Sequence, residues 1–401
     1  MKNNHYKENA WWVSPYNDYP EVVEAIKKPS KVEIHDATLR DGEQTPGLVF
    51  SVDDKIRIAE KLDEVGIERI EAGMPAVSQS DYDAVKAICK RNLKAKIFTF
   101  ARAMRTDIDK AVDCGAHGVV IEVPIGSPKL KYQFKWTWEN VLEKSVDCIN
   151  YAKSQGLYAV YFPYDTTRAR EEDLVQLMTG IMKNSPPDSV GVVDTMGCAL
   201  PEAIQYLVRL MKKITGGLPV EVHTHNDFGM GVATELAGVA AGADVVHSCV
   251  NGLGERTGNA AAEELVMALK VLMGTDNDYR LDKLMELCQL VEDISGVPLP
   301  ANKPVAGKRN YTRESGIGVD LVIKEPLAMF ATDPRYFGRM GDIVLGKKSG
   351  KASVEYYLNQ LNIQVPDETV PTILNQVKEQ GAQKKGLLTI EEFKAIVARV
   401  K

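Results

Sequence analysis

Between Lys31 and about Gly274 the chain alternates short apolar, β-branched runs with longer stretches of helical period, and few folds accommodate that rhythm. The strand candidates are Val32–His35, Ile67–Glu71, Ala95–Phe100, Gly118–Val123, Tyr158–Phe162, Ser189–Asp194, Val220–His225 and Val245–Val250. Helical segments lie between them, among them Asp53–Val65, Asp81–Lys90, Trp138–Gln155, Glu171–Lys183, Pro201–Ile214 and Val232–Ala241. Several open on Ser, Thr or Asp in a capping position. Gly66, Gly115, Gly156 and Gly242 follow helical patterns, where a left-handed cap favours glycine. Eight βα units in roughly 245 residues predict an α/β fold, a closed (β/α)8 TIM barrel, with a doubly wound open sheet as the alternative.

The flanks read differently. Residues 1–30 form an N-terminal arm whose Trp11 and Trp12 are too apolar for a free tail, so the arm is expected to dock on the barrel or on a neighbouring subunit. The barrel is assigned to 31–275. Residues 276–401 form a small, mainly helical region, with helical patterns at Leu281–Ser295, Ser349–Leu361 and Thr389–Val400 and a Pro- and Gly-rich stretch at Pro298–Gly318.

Composition excludes several classes of function. A net charge of −6, with both signs dispersed, leaves no basic footprint for nucleic acid or a membrane surface. No apolar run approaches the ~20 residues that span a bilayer, and the N-terminus lacks an apolar signal core, so a cytoplasmic protein is expected. The six cysteines include no CxxC pair and read as reduced core thiols.

In a barrel, working residues sit at the C-terminal ends of strands. Four loops qualify. Thr38–Gln44, after the first strand, packs Arg40, Asp41, Glu43 and Gln44 around Gly42; Arg40 could polarise an oxyanion while Asp41 ligates a metal, or the loop could be a salt-bridged helix cap. At the end of strand seven, alternation places His223 and His225 on one face, within reach of a single ion. With Asp41 they make a mixed N/O set with open positions, suited to Mg, Mn, Co or Zn as a Lewis acid. After strand eight, Asn251–Ala260 carries three glycines before Asn259, which could complete the metal shell; a flexible turn is the alternative. After strand six, the Thr195 hydroxyl could bind a substrate carboxylate or simply cap a helix.

In chain order these motifs are LRDGEQ (Leu39–Gln44), DTMG (Asp194–Gly197), HTHND (His223–Asp227) and NGLGERTGNA (Asn251–Ala260). Together they resemble the metal-dependent barrel family of isopropylmalate, homocitrate and citramalate synthases and hydroxymethylglutaryl-CoA lyases, the pyruvate carboxyltransferase-like domain. The resemblance extends more weakly to Val305–Asp320 and to LGKKSG (Leu345–Gly350), segments that the condensing synthases carry after the barrel and the lyases lack. The lyases also place a cysteine in the loop that here reads GERTGN. The resemblance implies an acyltransferase that joins acetyl-CoA, or a related acyl-CoA, to a 2-oxo acid by Claisen condensation and releases CoA. A lyase cleaving a 3-hydroxyacyl-CoA is the alternative. It further implies that Asp41, His223 and His225 bind the metal with Asn259 adjacent. Arg40 faces the developing alkoxide, Thr195 holds the oxo acid's carboxylate, Gln44 lies near the substrate, and Glu43 supports the loop. A homodimer is implied as well.

Three departures from the family pattern concern acid–base positions. RESGIG (Arg313–Gly318) replaces a motif with two histidines, FPYD (Phe162–Asp165) puts Tyr164 where an acid is usual, and Lys348 replaces the histidine of LGKHSG. One reading is a changed proton-transfer solution using Tyr164, Tyr311 or Glu314, with Arg313 and Lys348 binding an extra anionic group and oxaloacetate as one candidate acceptor. The other is drift in a stabilising loop.

Overall fold

The computed structural model describes residues 4–400. Eight parallel strands close into a barrel: β1 (Glu33–Asp36), β2 (Arg69–Glu71), β3 (Lys96–Arg102), β4 (Gly118–Pro124), β5 (Tyr158–Tyr164), β6 (Ser189–Asp194), β7 (Val220–Thr224) and β8 (Val245–Ser248), with β8 hydrogen-bonded back to β1. Closure removes both sheet edges and rules out the open-sheet alternative. The principal helices of the outer layer are α1 (Val52–Val65), α2 (Gln79–Cys89), α3 (Arg105–Cys114), α4 (Trp138–Ser154), α5 (Glu171–Asn184), α6 (Pro201–Ile214), α7 (Gly231–Ala240) and α8 (Ala262–Met267).

Local chemistry sets these boundaries. Ser51 caps α1 by accepting the Asp54 N–H, and the Asp54 carboxylate reciprocates at the Ser51 N–H. The same helix ends at Gly66, whose φ of 99° is open to glycine and costly for other residues.

Alternation along each strand separates two cores. Val119, Ile121 and Val123 of β4, Ala159 and Tyr161 of β5, and Val190 and Val192 of β6 face outward onto Ile149, Leu177, Val208 and their neighbours on the helices. Phe98, Phe100, Val120, Val160, Phe162 and Val193 face inward and fill the barrel. Gly191 makes room for one of the rings: a Cβ there would lie 2.4 Å from Phe162 Cδ1.

The chain divides into two compact units, one of Tyr16–Leu299 and one combining the residues up to Pro15 with those from Pro300 onward. Helix Leu284–Ser295, assigned from sequence to the C-terminal region, falls in the barrel unit, with Leu284, Leu287, Cys288 and Val291 buried and Lys61 of α1 2.9 Å from Glu286. The smaller unit is built around Leu345, Val354, Leu358, Ile373, Val377, Phe393 and Ile396. Its helix Val370–Lys384 was missing from the sequence expectation.

The N-terminal arm divides: residues from Tyr16 onward belong to the barrel unit, where the Lys27 N–H donates to Ala240 O at 2.7 Å, and the part that carries the tryptophans docks elsewhere. Trp11 is buried edge-on to Tyr336, the Trp12 N–H donates to Ala331 O at 2.9 Å, and the Asp333 N–H donates to Ala10 O at 2.8 Å, so this part completes the smaller unit. The tryptophans pair with Tyr6–Lys7 on one edge, and their other edge meets the 331–333 segment, so the extended backbone is satisfied on both sides. Among the described residues no helix is long and apolar enough to cross a membrane. Among the described residues no disulfide joins the six cysteines; Cys89 is half-buried, and Cys198 is exposed beside Asp194 rather than in the core, because it sits on the turn after β6.

Candidate active site

The C-terminal mouth of the barrel gathers the polar residues singled out in the sequence. Asp41 stands on the turn after β1, His223 points inward from β7, and His225 follows β7. The two His Nε2 atoms lie 3.3 and 3.8 Å from Asp41 Oδ2, and all three residues are buried. Burial keeps both imidazoles neutral, lowering the His225 pKa to about 4 and the His223 pKa in the same direction. Burial alone would raise the Asp41 carboxyl, but Arg40, His223 and His225 together hold it well below its usual range. A carboxylate beside two neutral imidazoles is the donor chemistry a divalent cation takes.

Unpaired atoms support the same fit. Asp41 Oδ1 and Asn259 Oδ1 are buried without hydrogen-bond partners. Asn259 forms a β-bridge with His225, and its amide nitrogen donates to Leu253 O at 3.1 Å, which leaves the oxygen as the free end. Among the described residues a second set, His35, Glu221 and His247, also brings three ligand atoms within 4.8 Å of one another, deeper in the barrel.

Arg40 is clamped on three sides. Its Nε donates to Glu71 Oε1 at 2.5 Å, Nη1 lies 3.1 Å from Asp41 Oδ2, and its guanidinium stacks 4.4 Å over the Phe100 ring. Glu71 would be raised by burial but is drawn down to about 2 by Arg40 and His35. Glu43 serves the loop, bound by the Phe50 N–H and 2.6 Å from Lys55 Nζ. Gln44 is exposed at the end of that 3-10 turn. Thr195 accepts the Asp165 N–H at 2.9 Å, leaving its own hydroxyl proton to donate.

Tyr164 closes β5 half-buried, and burial, Glu122 and Asp165 push its phenol far above the usual range, so it is a neutral hydrogen-bond donor. Arg313 and Glu314 belong to the smaller unit. Arg313 Nε donates to Ile317 O, while Glu314 Oε1 accepts the Lys348 N–H at 2.9 Å.

Glu122 was not anticipated. It faces inward from β4 between Arg102 and Phe162 in the register, close enough to Arg40, Asp41 and Glu71 for their charges to act on it. Burial raises its carboxyl, Arg40 pulls it down, and Asp41 and Glu71 push it up again, leaving it at about 7. The signal in the sequence was a lone charged residue in the otherwise apolar run GVVIEVP.

Residues 31–291 match the HMGL-like family. The chain belongs to that family. Residues 305–385 match a second description, homocitrate synthase post-HMGL domain-like. Among HMGL-like relatives, homocitrate synthase AksA of Methanocaldococcus jannaschii is 40% identical over 395 residues, covering 98% of this chain and 95% of that one. The (R)-citramalate synthase CimA of the same organism is 41% identical over 352 residues, covering 87% and 71%. Hydroxymethylglutaryl-CoA lyase from Pseudomonas aeruginosa shares the fold at a TM-score of 0.61 and 18% identity, over 70% of this chain and 97% of that one. Within the HMGL-like family, full-length similarity therefore runs to synthases, and the chain is an acyltransferase of that kind.

Proposed function

We propose that the chain catalyses a divalent-metal-dependent Claisen condensation of acetyl-CoA, or a related acyl-CoA, with a 2-oxo acid. The observation that carries the reading is Asp41 with two neutral imidazoles beside a clamped Arg40 at the barrel mouth. A divalent ion such as Mg, Mn, Co or Zn, held by Asp41, His223 and His225 with Asn259 beside them, would polarise the oxo acid's carbonyl.

The protein's own groups do the rest. The Thr195 hydroxyl binds a carboxylate of the oxo acid, and Gln44 lines the outer edge. A base takes a proton from the thioester's α-carbon, and the resulting carbanion forms a bond to the oxo carbon, whose π electrons become an alkoxide. Arg40 faces that alkoxide, with its orientation fixed by Glu71 and Phe100 before substrate arrives. Water then cleaves the thioester and CoA leaves as the thiol. Glu122 is our first choice of base, since a carboxyl poised near 7 exchanges protons readily at neutral pH. Glu314 is the second choice, and Tyr164 donates a hydrogen bond. Oxaloacetate, giving citrate, is one acceptor we name, because Arg313 and Lys348 supply cations where the synthases' motifs carry histidine. The same reading makes the protein a cytoplasmic homodimer.

The test is thiol release when the protein and Mn or Mg meet acetyl-CoA and a panel of 2-oxo acids. Release that depends on one oxo acid and disappears in His223→Ala is expected. Silence across the panel with metal bound, together with cleavage of a 3-hydroxyacyl-CoA, would replace the synthase with the lyase.

A further inference from the structure

Below the metal-binding mouth the barrel interior holds an unusual layer. His35, Glu71, Glu221 and His247 are fully or almost fully buried, and Arg69 is 6% exposed. Strand register explains how they meet. His247 of β8 pairs with His35 of β1, which pairs with Arg69 of β2, so three inward side chains share one level, and Glu71 stands one inward step nearer the mouth. The two imidazoles stack, with centroids 4.3 Å apart and planes 9° apart.

This set is not arranged as a second metal centre. Imidazole lone pairs lie in the ring plane, and two rings stacked face to face send them side by side rather than toward one point. Glu221 is also fully engaged, accepting from Arg69 at 2.9 Å, Ser189 at 2.6 Å and His247 at 2.9 Å. What is left over is His35. Its Nε2 lies 3.3 Å from Glu71 Oε2, a close contact short of full hydrogen-bond alignment, and neither atom has a hydrogen-bond partner. Glu71's other oxygen holds Arg40.

We propose that His35, fixed in place by its stack on His247, is a positioning residue that orients Arg40 by pinning the Glu71 carboxylate between them. A carboxylate gripped at one oxygen can rotate; gripped at both, it fixes the guanidinium that lies against it. The catalytic half of the inference rests on the proposed condensation, in which Arg40 faces the alkoxide.

The experiment compares wild type, His35→Phe, which keeps the stacked ring and removes its N–H, and His35→Gln, which restores an N–H donor. Arg40 is read directly from the Nε–H signal of 15N-arginine-labelled protein, and turnover from thiol release. We expect His35→Phe to lose at least tenfold exchange protection at the Arg40 Nε–H. It should also lose about tenfold in kcat with KM for the oxo acid within twofold and Mn binding unchanged. His35→Gln should return both toward wild type. A wild-type Arg40 signal in His35→Phe would overturn the proposal, as would loss of Mn binding in step with kcat. If wild type releases no thiol with any oxo acid, the condensation fails while the Arg40 signal still decides the positioning. Should His35→Phe not fold, Glu71→Gln must free the Arg40 Nε–H, and an unchanged signal there would also overturn the proposal.

Discussion

The two halves of the barrel interior are built from opposite materials. Strands β7, β8, β1 and β2 line it with Glu221, His223, His247, His35, Arg69 and Glu71, whereas β3 to β6 line it with Phe98, Phe100, Val120, Val160, Phe162 and Val193. An apolar layer gains stability from area alone, but buried ions must be matched partner by partner, and removing one strands the others. The contrast teaches that this barrel is stabilised on one side and poised for chemistry on the other. On the apolar side Glu122 adds a carboxyl, and Ser189 of β6 reaches across to Glu221.

The largest expected effect comes from breaking the polar half at its top. His223→Ala should abolish detectable Mn binding by calorimetric titration and lower kcat at least about a thousandfold. Arg40→Lys keeps the charge but loses the fork that spans Glu71 and Asp41, so kcat should fall about a hundredfold with KM for the oxo acid little changed, read by thiol release. A rise in KM with kcat unchanged would contradict that role.

Glu122→Gln sharpens the comparison because activity and stability should move in opposite directions. The folded carboxyl, at about 7, binds its proton more tightly than an unfolded glutamate does. The fold therefore loses stability as pH rises from the unfolded value toward 7, and stays penalised above it. The glutamine variant should gain about 1–2 kcal/mol over wild type at pH 8, discounted for the open mouth, and nothing at pH 4, while kcat drops about a hundredfold. Thermal melts at both pH values check this. The smallest effect on chemistry belongs to the apolar half: Val160→Ala should cost about 1–2 kcal/mol in denaturant melts and leave Mn affinity unchanged.

Much of this was legible in the sequence, for identifiable reasons. The βα rhythm and the C-terminal ends of strands located Asp41, His223 and His225, because period-two alternation applied to HTH puts both imidazoles on one face. The inward face of β4 was written in the same code and went unread, since Glu122 is a single charge in an apolar run. Glu71 and His35 were invisible for another reason: only the β8–β1–β2 register brings them to one level, and register is a tertiary fact. Helix Val370–Lys384 opens with a proline and includes a glycine, which blurred its period. Trp11 and Trp12 pair locally with Tyr6–Lys7, but the bridge from Trp11 to Thr332 joins residues more than three hundred positions apart, beyond any local signal.

That last pairing governs the order in which the molecule is assembled. Because Trp11 pairs with Thr332, the smaller unit has one piece made before the barrel and the remainder made after it. During synthesis the βα units can close on contacts between neighbours in sequence, while the first fifteen residues must wait for their partner strand to emerge. The barrel is thus an insertion within a domain that finishes after it, and deleting the arm should slow or unsettle that final step while sparing the arrangement of Asp41, His223 and His225.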